Sequence, residues 1–166
     1  MRFILNSKEM VMSDSAVNDF IANYPQTMQI TFLEPGEVHL SKTDHPVLLS
    51  YTPNTHPLQS AIRRERRLLF EQPEVNEEKR FKIVVGGDAV VDVSGHVEVE
   101  VMDKAVVNSY GHAKITVRDT ARVRATVDDE VEAFDNATVV AKSNAVVCLH
   151  DSATAKLSQN ARLQTA

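Results

Sequence analysis

From Gly87 onward the chain repeats itself every eight positions, and that period limits what it can fold into more than any other feature. A small residue returns at Ala89, Ala105, Ala113, Ala121, Ala137, Ala145, Ala153 and Ala161, with Val97 and Asp129 standing in at two copies. Two positions later comes an aliphatic residue, from Val91 and Val99 through Val147 to Leu163, and two further on most copies are apolar again. Apolar residues two apart make a short strand with one buried face. A helix needs spacings of three and four, which an eight-residue phase does not sustain.

Between these strands lie three residues with turn chemistry, such as Tyr110-Gly111-His112 and Phe134-Asp135-Asn136. The residue just before the small position is Asp88, His96, His112, Asp128, Asn136, Asn144 or Asn160 in seven of ten copies. Asn, Asp and His tolerate a left-handed backbone best among non-glycine residues, which predicts a positive φ there. Asp103, Asp119, Asp135 and Asp151 recur every sixteen residues, as do His96 with His112 and Asn144 with Asn160. A two-strand coil of sixteen residues stacks like on like, giving an Asp ladder whose carboxylates can accept backbone N–H bonds. Ten copies predict about five coils, and Phe81, Ile83 and Val85, in the same inward phase, predict one more strand near Lys79. The expected fold is mainly β: a two-sided β-solenoid over residues 79–166 behind a small N-terminal α/β cap over residues 1–78.

In that cap, Arg2 to Leu5, Thr27 to Phe32, Val38 to Leu40 and Val47 to Tyr51 read as strands. Ala16 to Asn23 reads as a helix after Ser13-Asp14-Ser15, and a second helix is expected from about Pro57 to Glu71, stopped by Pro73. A polar linker from Gln72 to Arg80 follows. The cap is expected to close the first coil. The last repeat reaches Ala166, which leaves the far coil open and points to pairing with a second copy.

The single cysteine, Cys148, excludes an internal disulfide framework and any multi-cysteine metal site. No apolar run is long enough to span a bilayer, and Met1-Arg2-Phe3-Ile4-Leu5 leads directly into Asn6-Ser7-Lys8-Glu9, so a cytoplasmic protein without a membrane role is expected. The net charge of -5 does not point to nucleic acid, and the repeat half is nearly neutral.

The outward positions of the repeat carry the candidate surfaces. Glu98, Glu100, Lys114, Glu130 and Glu132, then Val146, Cys148 and Arg162, share one face; Val90, Asp92, Val106, Asn108, Arg122, Arg124, Val140 and Lys156 share the other. The glutamates, with the basic cluster Arg63, Arg64, Arg66 and Arg67, are the candidate partner-binding residues, although a charge run is usually a solvated face. Val146 and Cys148, with Thr165 and Ala166, are the candidate self-association residues, since a solenoid surface needs few exposed aliphatics. Val90 and Val106 are expected to be covered by the N-terminal half. His39, His45 and His56 match no metal motif, and corner geometry accounts for His96 with His112, so neither a metal nor another cofactor is expected. Asp128-Asp129-Glu130 places an acid where alanine is the rule, which reads as a local bulge in preference to the alternative, a cation site. No catalytic constellation assembles, and an enzyme is not the expected reading.

The run Ala133-Phe134-Asp135-Asn136-Ala137-Thr138-Val139-Val140-Ala141, followed by Asp151-Ser152-Ala153-Thr154-Ala155, resembles the Asp-Asn-Ala-Thr-Val-x-Ala-Tyr octapeptide arrays of bacterial, phage and mobile-element proteins. The resemblance covers about half the chain, and the usual octad-closing aromatic survives only as Tyr110 and Phe134. It implies a solenoid and a bacterial or phage origin, and it carries over no functional residue. The expected function is that of a non-enzymatic protein-binding module, for example a phage or mobile-element protein that binds and inhibits a host nucleic-acid-handling or defence complex. The alternatives are homo-assembly as a dimer or polymer and an enzyme or metal site in the N-terminal half.

Overall fold

A computed structural model describes residues 1–24, 26–52 and 80–164. The chain opens with a hairpin, β1 (Arg2–Leu5) and β2 (Lys8–Val11), followed by helix α1 (Asp14–Asn23). Ser13 starts the helix by accepting the Ala16 N–H on its side chain, and Val17 and Ile21 form its buried face. Strands β3 (Met28–Phe32), β4 (Glu37–Leu40) and β5 (Val47–Tyr51) come next. Beyond the undescribed stretch lie β6 (Phe81–Val85), β7 (Val90–Gly95), β8 (Val97–Val101), β9 (Val106–Ser109), β10 (Lys114–Val117) and β11 (Arg122–Ala125). The chain continues through β12 (Glu130–Ala133), β13 (Thr138–Ala141), β14 (Val146–Leu149), β15 (Thr154–Leu157) and β16 (Arg162–Gln164).

These strands alternate between two sheets. Sheet A runs β15-β13-β11-β9-β7-β5-β3-β1-β2 and sheet B runs β16-β14-β12-β10-β8-β6-β4. From β6 onward every strand pairs in parallel with the one sixteen residues later: Ile83 with Val99, Ile115 with Val131, Val123 with Val139. The two-strand, sixteen-residue coil is therefore present, and β6 is the additional strand expected near residue 79.

The coil count is larger than the five expected. Strands β3, β4 and β5 are rungs of the same sheets, which makes about seven turns. These early rungs escape an octad count because their spacing is irregular: Met28 pairs with Val47 and Leu48 with Asp92. The long step spans the stretch between β5 and β6, where residues 53–79 are not described. Among the described residues, what lies outside the coil path is β1, β2 and α1. Strand β1 is antiparallel to both β2 and β3, a hairpin missed because Asn6 and Ser7, its positive-φ corner, are not a glycine pair. Helix α1 lies against β4, and Asn18 accepts the His39 N–H, meeting a backbone donor at the first strand of sheet B.

The interior changes character along its length. Phe32 and Phe81, stacked 3.7 Å apart, fill the early coils, and Phe3 of β1 is buried beside Phe32. Later coils hold Ala and Val, as in Ala121, Val123 and Ala125. All of these inward side chains are shielded from water, and a buried valine contributes about 1.5–3 kcal/mol. In the last coil Leu163, in the same phase as the fully buried Val147, is 55% exposed. Among the described residues no helix is long and apolar enough to cross a membrane.

Candidate functional site

The corners set which side chains face outward. Eight of them close with the same β-turn bond, for example Ala121 N–H to Arg118 O and Ala137 N–H to Phe134 O. Positive φ falls one residue earlier than expected in most copies: at Asp103, Asp119, Asp135, Ser143, Asp151 and Gln159, not at the residue adjoining the small position. That residue, the first of the two in the middle of the turn, gains a second function. Asp103, Asp119, Asp135 and Asp151 each accept, at 2.8–3.3 Å, the backbone N–H of the corner one coil earlier. The aspartate ladder is thus real, and each bond reaches back a whole coil. Gln159 does the same for Ser143 on the opposite edge.

Two corners do carry positive φ next to the small position, at His112 and at Asp128, and the second also redirects a side chain. Val127 occupies the ladder position, and a β-branched residue does not adopt positive φ, so Asp128 turns the corner instead. Asp129 then enters the interior in place of alanine and is fully buried. Its carboxylate accepts the N–H of Ala113 at 2.9 Å and of Thr126 at 2.7 Å. Burial pushes this carboxyl above the usual carboxylate range, against the opposing pull of the two N–H groups. The irregularity expected at Asp128-Asp129-Glu130 is an inward carboxylate that supplies a missing cap.

The expected partner-binding glutamates do gather on one surface. Glu98 and Glu100 on β8 and Glu130 and Glu132 on β12 share the outer side of sheet B with Val146 and Cys148 on β14. Their charge is partly compensated. Lys114 stands in register between Glu98 and Glu130, and Lys82 pairs with Glu100 at 3.4 Å. Hydrogen bonding to Glu100, then its charge, raises the Lys82 pKa above the ordinary lysine value. A groove of about 540 Å³ runs along this face, lined by Glu98, Lys114, Thr116, Glu130, Glu132, Val146, Cys148, His150 and Gln164.

At one side of that groove Cys148 Sγ lies 3.5 Å from His150 Nε2. His150 was not singled out from the sequence, although two positions along a strand put it on the same face as Cys148. Its ring is stacked on Phe134 at 4.4 Å and 4°, and the Arg118 guanidinium covers Phe134 from the next coil at 4.5 Å. This three-layer stack holds the imidazole in place.

The other candidates are scattered. Arg63, Arg64, Arg66 and Arg67, the helix expected to carry them, His56, Thr165 and Ala166 lie outside the described residues. His39 on β4 pairs with Glu37 at 2.7 Å, while His45 lines a separate notch with Asp92 and Asn108 of sheet A. Among the described residues no three His, Cys, Asp or Glu side chains converge as a metal set. His96 and His112 stack 5.7 Å apart at one edge. Val90 keeps 49% of its surface exposed although Thr43 bonds to its backbone, so the N-terminal half covers it only in part.

Two parallel sheets wound from sixteen-residue coils around a filled interior place the chain among β-solenoids. Compared with protein-family models, curated proteins and solved structures, it matches none.

Proposed function

We propose that the chain is a protein-binding module that presents the outer groove of sheet B to an extended polypeptide segment. The observation that carries this reading is the groove itself, in which Glu98, Glu130 and Glu132 rise beside the apolar patch of Val146 and Cys148. Such a surface suits a segment with basic side chains flanking an apolar one: the charges orient the partner, and the desolvated centre supplies affinity. The test is affinity capture with three variants of preserved fold. A bound protein that is lost with Glu130→Lys/Glu132→Lys and with Val146→Glu, yet kept by Arg122→Glu on sheet A, supports the groove. Equal capture by all three, or loss only with Arg122→Glu, overturns it.

A further inference from the structure

We propose that the outer face of sheet A across β11, β13 and β15 binds the phosphate backbone of double-stranded nucleic acid. The outward side chains of these strands form two rows. Arg122, Thr138 and Thr154 stand in register along one, and Arg124, Val140 and Lys156 along the other. All except the half-buried Val140 are exposed. Paired strands lie about 4.8 Å apart and alternate residues of a strand about 6.6 Å apart, so the three cations stand within about 12 Å of one another.

Three features point to a polyanion. The first is uncompensated charge. These two rows hold three cations and no carboxylate, and among the described residues none of the three is in an ion pair. Sheet B differs, because Lys82 and Lys114 there stand beside glutamates. The net charge of -5 is thus a sum over two unlike faces, and it conceals a cationic patch.

The second feature is the lack of an apolar centre. Val140 is the one aliphatic side chain in the two rows, whereas a protein interface is built around a desolvated apolar core. Attraction by charge alone is effective when the partner releases condensed counterions, as nucleic acid does. A duplex carries one charge per about 1.7 Å of axis, so it brings about six charges to the roughly 10 Å between β11 and β15. The third feature is the donor set. Thr138 and Thr154 add hydroxyl groups beside the arginines, and guanidinium, ammonium and hydroxyl groups are the side-chain donors that contact phosphate. Contacts of this kind carry no sequence information, so unrelated duplexes should bind alike. The patch lies on the face opposite the groove and is independent of the protein-binding reading.

The experiment follows the fluorescence anisotropy of a short labelled duplex DNA titrated with the full-length protein, in rising NaCl. Three phosphate contacts predict a slope of about -2.7 in log affinity against log salt, or a fall of about fortyfold from about 50 to 200 mM. Arg122→Gln/Arg124→Gln/Lys156→Gln should weaken binding at low salt at least about tenfold, Arg124→Gln alone should reduce the slope by about one, and Lys114→Gln on sheet B should change neither. The single variant keeps the proposal testable even if the triple one does not fold. Absence of binding at low salt overturns the proposal, as does a slope unmoved by Arg124→Gln. Displacement of the duplex by poly-glutamate of equal charge as readily as by unlabelled duplex also overturns it, and assigns the face to an acidic protein segment.

Discussion

Asp129 shows how one side chain can oppose the pattern around it and still be required. Every other copy but one has alanine at this position, yet Asp129→Ala should destabilise the protein by about 1–3 kcal/mol, because it strips the acceptor from two backbone N–H groups. The same carboxyl gives stability a pH dependence of a definite sign. Its pKa is raised in the fold, so the contribution is fully present below the unfolded carboxylate pKa and is lost as pH rises through the folded value. Urea melts from about pH 4 upward should show this decline, using the ordinary Asp pKa of about 3.9 as the lower bound. Asp129→Asn should flatten it; an unchanged slope in the variant would show that another group is responsible. The octad phase put this residue at an inward position and marked it as an irregularity, but that its carboxylate meets the N–H groups of Ala113 and Thr126 depends on the neighbouring coil and on the displaced turn.

At the scale of elements, the coils that follow Gly87 were legible because Ala and Val alternate with little else competing, and because the corner aspartates fix the coil at two strands. The earlier coils were hidden for a physical reason. Phe32, Leu49, Tyr51 and Phe81 fill the interior there, so the small-residue mark of the octad is missing, and paired rungs are not sixteen residues apart. The groove was half legible: alternation put the glutamates, Val146 and Cys148 on one face, while the Phe134 stack that holds His150 depends on neighbouring coils. The junction between irregular and regular coils makes its own demand. Gly95 has φ +82°, and a Cβ there would run into the carbonyl oxygen of Tyr51. Gly95→Ala should therefore cost more than about 2 kcal/mol, combining left-handed strain with backbone overpacking. Chemical denaturation measures it, and a loss below about 0.5 kcal/mol, the range of an ordinary surface change, would mean that the junction yields freely.

For the whole molecule, contacts run between neighbouring coils, so stability should be close to a sum over coils and their interfaces. Removing residues 121–136 takes out one complete coil and joins Thr120 to Ala137 in unchanged phase. That shortened protein should still melt cooperatively, at a lower temperature. Removing only residues 121–128 should be far more damaging, because Asp135 and Asp151 would move to the edge that Gly95, Gly111 and Ser143 occupy and the ladder would lose its register. Equal melting of the two shortened proteins by circular dichroism would count against the ladder as an organising element. The ladder also has a direction, since each carboxylate closes the corner before its own. A chain emerging from the ribosome N-terminus first would lay each new turn on a finished template and, in arriving, fasten the turn beneath it, so the order of synthesis and the order of closure coincide.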